Sequence, residues 1–174
     1  MKALTLYEPW ASLISIGAKT IETRSWSTSY RGPLAIHAAK RKPAPWWVHE
    51  AIERDPAQLR NSEPWFDELE RFCHFDEMSD GWSAYTWARP LGAVVATCEL
   101  VDVVPVEHLC LCADVGERGW AHQSVLPTFP LIDPDQLPYG DYTPGRFAWL
   151  LAEIHPVFSI PAKGKQGLWE LSTM

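Results

Sequence analysis

Leu4 and Leu6 alternate with smaller or polar residues over the first six positions, which is the period of a short strand. Glu8-Pro9-Trp10 then opens a helix with proline in its first turn, and Trp10, Leu13 and Ile14 give it one apolar stripe. Gly17 is placed to end that helix in the left-handed conformation. From Thr20 the period returns to two, with Ile21, Thr23 and Ser25 on one face and Glu22, Arg24 and Trp26 on the other. Beyond a polar loop at 27–30, Pro33 to Ala39 reads as a mostly buried strand, ended by Lys40-Arg41-Lys42-Pro43. Two helices are predicted next, near Trp46 to Glu53 and from Pro64 to about Phe75. Gly92 to Pro105 is the strongest strand of the chain, apolar enough to be central and yet carrying Glu99. Further strands are predicted over Arg146 to Ile154 and at Gly167 to Leu171, with the cationic loop Lys163-Gly164-Lys165-Gln166 between them.

Short strands with short helices between them predict an α+β fold built on a small, strongly bent mixed sheet or barrel. A chain of 174 residues, 47% hydrophobic, can close one such core, so a single domain is expected over 1–174. Residues 44–90 read as an acidic helical insertion, and 110–142, rich in proline, glycine and aspartate, as the most mobile part. No apolar run approaches the ~20 residues that span a bilayer, and the first residues lack a secretory leader. A cytoplasmic chain without membrane contact is expected, its four cysteines reduced. His108-Leu-Cys110-Leu-Cys112 has no paired knuckle elsewhere, so neither a metal nor another cofactor is predicted.

Charge complicates the picture. A net charge of −7 argues against a phosphate-binding partner, but it is unevenly spread. Residues 1–60 carry nine Lys and Arg against five Asp and Glu, whereas 61–142 carry three against fifteen. If the two ends of the chain meet, a positive cleft can sit on an acidic protein; otherwise the middle is a solvated acidic insertion.

The cluster that a structural strand has no use for is Gly17-Ala-Lys19-Thr-Ile-Glu22-Thr-Arg24, a G-x-K-x-x-E-x-R pattern followed by Ser25-Trp26. With Glu8-Pro9-Trp10-Ala11-Ser12-Leu13 before it and Arg31-Gly32-Pro33 to Lys40 after it, it resembles the ASCH family, named for the activating signal cointegrator homology domain. The resemblance implies a PUA-like barrel of about five or six strands with peripheral helices, and a cleft lined by the motif. It also implies RNA or DNA binding. Some small relatives of the family deacylate an acylated cytidine with a lysine, a threonine nucleophile and a glutamate. Their lysine falls on Lys19 and their glutamate on Glu99, but the threonine position holds Glu22.

That departure matters, because a carboxylate attacking an amide would form an anhydride, so the threonine mechanism does not transfer. A hydrolase in this cleft, acting on an acylated cytidine or an RNA phosphodiester, would use Glu22 or Glu99 to activate water and Lys19 to stabilise the oxyanion. The favoured expectation is recognition: a nucleic acid, RNA ahead of DNA, or a nucleoside. Trp26 and Tyr30 offer stacking faces, and Lys19, Arg24, Arg31, Lys40, Lys163, Lys165 and Gln166 offer donors. The same charges could form a structural ion-pair network, and His37, on an apolar strand, reads first as a hydrogen-bonded core residue. A protein partner bound through the acidic middle segment is the third reading.

Overall fold

The structure, a computed structural model, describes residues 1–41, 91–111 and 131–172 together with the short strands at 74–75 and 85–86. Its main strands are β1 (Lys2–Leu6), β2 (Ile21–Arg24), β3 (Gly32–Ala38), β6 (Ala93–Pro105), β9 (Phe147–Pro161) and β10 (Leu168–Glu170). These six form one hydrogen-bonded sheet in the order β10-β1-β3-β6-β9-β2. Two minor pairs complete the set: β4 (His74–Phe75) with β5 (Tyr85–Thr86), and β7 (Cys110–Leu111) with β8 (Leu131–Ile132). The α+β class and the strand count expected from the sequence are both found. No helix among the described residues is long and apolar enough to cross a membrane.

The chain forms two compact units, the first from 1–19, 33–99 and 153–174, the second from 20–32 and 100–152. In the first, β1 runs parallel to β3 and antiparallel to β10, and Ala3, Ala35, Val94 and Trp169 make a core against which Val157, Ala162 and Leu171 pack. Leu34 to Ala38 are all buried, as the apolar run required. The helix α1 (Trp10–Ser15) has six residues, too few to be stable alone, so packing of Ala11, Leu13 and Ile14 holds it. It is more deeply embedded than a one-stripe surface helix, for Ser12 and Ser15 are buried as well. Pro9 precedes it and brings no capping oxygen; Glu8 supplies one, its carboxylate accepting the Ser12 amide at 3.0 Å. Gly17, at φ +81°, ends the turn as expected.

In the second unit β2 pairs antiparallel with the start of β9, Ile21 facing Leu150 and Glu22 facing Trp149. Ile21 and Ala148 pack with Val104, Val106, Leu109 and Tyr142. Ile21, Glu22 and Thr23 are all buried, so both faces of β2 are covered.

Two boundaries differ from the sequence reading. β9 continues seven residues past Ile154, beyond its pairing with β2, which ends at Leu150, so Pro156 withholds no donor from that ladder. His74–Phe75, taken as the end of a helix, is extended and pairs with Tyr85–Thr86. A two-residue pairing carries no periodicity of its own, so the helical spacing of the residues before it overran the boundary. The helix predicted near 46–53, the rest of the one from Pro64, and most of the acidic segment and of 110–142 lie outside the described residues.

Candidate functional site

The charged residues buried within the described part are Glu8, Lys19 and Glu22, and two of these three belong to the G-x-K-x-x-E-x-R segment. Taking a charge out of water is costly unless it is paired, so their concentration there marks a built feature rather than a solvated strand end. In the first unit Lys19 is 1% exposed. Its amide donates to Leu13 O at 3.1 Å, closing the chain onto α1, and its ammonium stands 5.7 Å from the Trp10 ring centroid in cation–π range. Glu99 is half-buried on β6, with Cys98 and Leu100 buried on either side of it. The Cys98 thiol donates to Leu34 O, and burial, followed by the Glu99 charge, pushes it up to about 12, so it is an inert core group.

In the second unit Glu22 and Arg24 lie two residues apart on β2, and Arg24 Nε is 3.0 Å from a Glu22 carboxylate oxygen. The parity read from the sequence therefore holds. The contact is electrostatic, its N–H poorly aligned for a hydrogen bond. Trp26 is half-buried, edge-on to Trp149 at 4.7 Å, and its carbonyl accepts Trp149 Nε1–H at 3.3 Å. Tyr30 is also half-buried. Arg31 is exposed, but its guanidinium is engaged: it donates to Asp102 at 2.6 and 3.0 Å and to the carbonyls of Thr28, Tyr30 and Val103. The Arg31 hydrogen bond holds the Asp102 carboxyl below its ordinary value.

Segment 133–146, in the same unit, clasps β2, which the sequence reading missed. Gln136 Oε1 accepts the Thr20 amide at 2.8 Å, Thr23 Oγ1 accepts the Asp141 amide at 3.0 Å, and Arg146 donates to Thr23 O at 3.3 Å. A Cβ on Gly140 would lie 2.9 Å from the Tyr142 ring and 3.0 Å from Thr23 Cγ2, so only glycine permits this approach. Asp133-Pro134, whose carboxylate caps the Asp135 amide ahead of the 3₁₀ turn Pro134–Tyr139, was the legible signal. Burial, with the Glu22 charge second, pushes the Tyr142 phenol up to about 12. One of the five tyrosines should therefore ionise near pH 12 in a spectrophotometric titration and vanish from it in Tyr142→Phe. Because this value lies above the ordinary ~10, the stability linked to Tyr142 is present below pH ~10 and lost as pH rises through about 12. A titration with all tyrosines ionising together would contradict the clasp.

The remaining predicted residues converge in the first unit. Gly92 donates its amide to Ala38 O at 2.9 Å and accepts the Ala162 amide at 3.0 Å, so the C-terminal ends of β3 and β9 flank the start of β6. Lys40 and Arg41 leave the sheet from one of these ends, and Lys163, Lys165 and Gln166 from the other; all five are exposed. The sequence reading names four of these five as donors and leaves Arg41 as a strand end. Phe158 on β9, 100% exposed, is an aromatic the sequence reading left unassigned, although the alternation of Phe158 with Ile160 marks an outward face.

Among known proteins, 47 residues of the chain are 49% identical to activating signal cointegrator 1 of Homo sapiens and 47% identical to that of Mus musculus. The matched part is 27% of this chain and 8% of either relative, so the chain corresponds to a small portion of those proteins. The crystal structure of a ZmASCH mutant protein from Zymomonas mobilis superimposes with a TM-score of 0.45 at 14% identity, covering 98% of this chain and 89% of that one. The sequence model of the ASCH domain matches residues 4–151, which takes in the buried charges of the motif, β3 and β6. The chain belongs to the ASCH domain family.

Proposed function

We propose that this ASCH domain recognises single-stranded RNA or a modified base. The observation that carries the reading is the meeting of Lys40 and Arg41 with Lys163 and Lys165 around Gly92 at one end of the first unit's strands. Four exposed cations from two distant parts of an acidic chain give the local positive field that phosphate binding needs. Gln166 and the loop amides add donors. Phe158, fully exposed in the same unit, supplies a face for an unpaired base, worth ~1–3 kcal/mol. Lys19, buried in the same unit, adds its charge to that field, while Arg31, bound to Asp102 in the second unit, fastens its own loop.

Burial of Lys19 supports a second reading, hydrolysis of an acylated cytidine or an RNA phosphodiester, with Glu99 of the same unit activating water and Lys19 stabilising the oxyanion. The position of Arg24 beside Glu22 weighs against Glu22 as that base, since a proton moved there displaces an ion pair.

The discriminating experiment incubates the protein with short single-stranded RNA, the matching DNA and acylated cytidine, and follows both retained complex and product. Lys19→Met keeps the buried volume while removing the charge, and Glu99→Gln keeps the shape of the carboxylate. Complex on RNA without product, weakened at least tenfold in Lys19→Met, is the expected result, a loss of about 1.4 kcal/mol. Product from acylated cytidine that disappears in Glu99→Gln would replace recognition by hydrolysis. Equal retention by native protein and Lys19→Met would remove Lys19 from the site.

A further inference from the structure

His37 is 1% exposed in the middle of β3, and none of the roles above uses it. Its Nε2 lies 3.0 Å from Ala162 O, and since a carbonyl only accepts, Nε2 carries the proton and donates. Nδ1 then holds a lone pair, buried and without a partner among the described residues. An acceptor left so normally destabilises a fold, and some other constraint must fix the ring there. That constraint is the loop. A Cβ built on Gly164 would collide with His37 Cε1, lie 2.7 Å from Nδ1 and 3.0 Å from Thr5 Oγ1, so the Gly164 backbone rests directly on the imidazole edge. On another side the ring meets Trp169 edge-on at 5.7 Å, and Trp169 Nε1–H is held by Thr5 Oγ1 at 3.1 Å. The histidine is thus seated by β1, β3 and β10, which share the buried core, and reaches from them to both sides of Lys163. Burial also pushes His37 below its ordinary value, consistent with a neutral donor.

We propose that His37 is the positioning residue of the cationic loop, its Nε2–H holding Ala162 O while its ring edge seats Gly164, so that Lys163 and Lys165 are presented to a phosphate backbone as a fixed pair. The inference rests on the phosphate-binding reading for its ligand, and on geometry alone for the latch. A preset loop does not have to be ordered when ligand arrives, which is where such a latch raises affinity. Glycine at 164 follows from close approach rather than from a left-handed backbone.

The test uses the full chain and three variants. His37→Phe keeps a ring against Trp169 but has no donor, His37→Gln restores an N–H donor, and Gly164→Ala disturbs the seat from the loop side with His37 intact. Hydrogen exchange of the peptide spanning 161–168 reads the latch directly, and binding of fluorescent oligouridylate across a salt series reads its consequence. His37→Phe and Gly164→Ala should deprotect the peptide and lower the salt slope by up to ~1.4, the share of two lysines, while His37→Gln recovers most of both. A merely structural histidine would lower thermal stability in His37→Phe yet leave loop exchange and slope as in native protein, and that result would overturn the proposal. Should His37→Phe not fold, native-like exchange in Gly164→Ala would overturn it equally. If native protein binds no oligouridylate, the phosphate-binding reading fails, and the exchange data still decide the latch.

Discussion

Alanine at both Lys163 and Lys165 is expected to lower the slope of log affinity for single-stranded RNA against log salt by about 1.4, since each phosphate neutralised on a single strand releases ~0.7 of a counterion. Both side chains are exposed and neither takes part in a salt bridge described here, so the folded state should shift by no more than ~0.5 kcal/mol. Affinity falls at every salt concentration, and most at low salt, where the released ions contribute most. A suitable control is Lys2→Ala, which removes a cation of the same unit already paired with Glu170 at 2.6 Å; its slope should match that of native protein. Equal slopes for the double variant and native protein would move the phosphate track away from this end of the sheet. Arg31→Ala should act differently again, loosening residues 28–31 and 102–103 through loss of the Asp102 pair rather than changing the slope by a full contact.

Trp149→Ala should destabilise the protein by about 3–5 kcal/mol, the usual effect of truncating a fully buried tryptophan. Trp149 is 0% exposed, the largest fully buried side chain described, and it faces Glu22 across the β2–β9 pairing. Its loss opens a cavity behind the motif strand, leaves the Trp26 carbonyl without its donor and removes the edge contact at 4.7 Å. Against a typical total of 5–15 kcal/mol, a drop of that size should move the urea midpoint well below that of native protein. Trp149→Phe keeps most of the volume and should recover more than half of the loss. A change under about 1 kcal/mol in the alanine variant would mean that the site collapses to fill the cavity.

Much of the sheet was legible because its strands carry strong local signals. Pro33 to Ala39 and Gly92 to Pro105 are nearly continuous apolar runs, and they appear as β3 and β6. Gly17 marked the end of α1, and the two-residue period placed Glu22 and Arg24 on one face. The family was legible too, since the G-x-K-x-x-E-x-R pattern is local, and its match extends over 4–151. The end of β9 was not legible, because its Pro156 is disfavoured in a strand until the partners on each side are known. Nor was the clasp of 133–146, whose Gln136, Asp141 and Arg146 each make one ordinary hydrogen bond to residues 20–23 that only proximity reveals.

By itself the sequence determined the chemistry that the protein holds: which residues are charged, the spacing that puts Glu22 and Arg24 on one face, and the glycine that ends the helix before Lys19. Tertiary structure alone decided which of those groups are available. It buried Lys19, engaged Arg31 with Asp102 and brought residues 40–41 beside 163–165 through two backbone hydrogen bonds of Gly92. It also turned His37 from a core histidine into the seat of a loop more than a hundred residues away. The physical reason is that charge and periodicity are properties of single residues and near neighbours, whereas burial and pairing depend on which strands meet, and that follows from packing over the whole sheet.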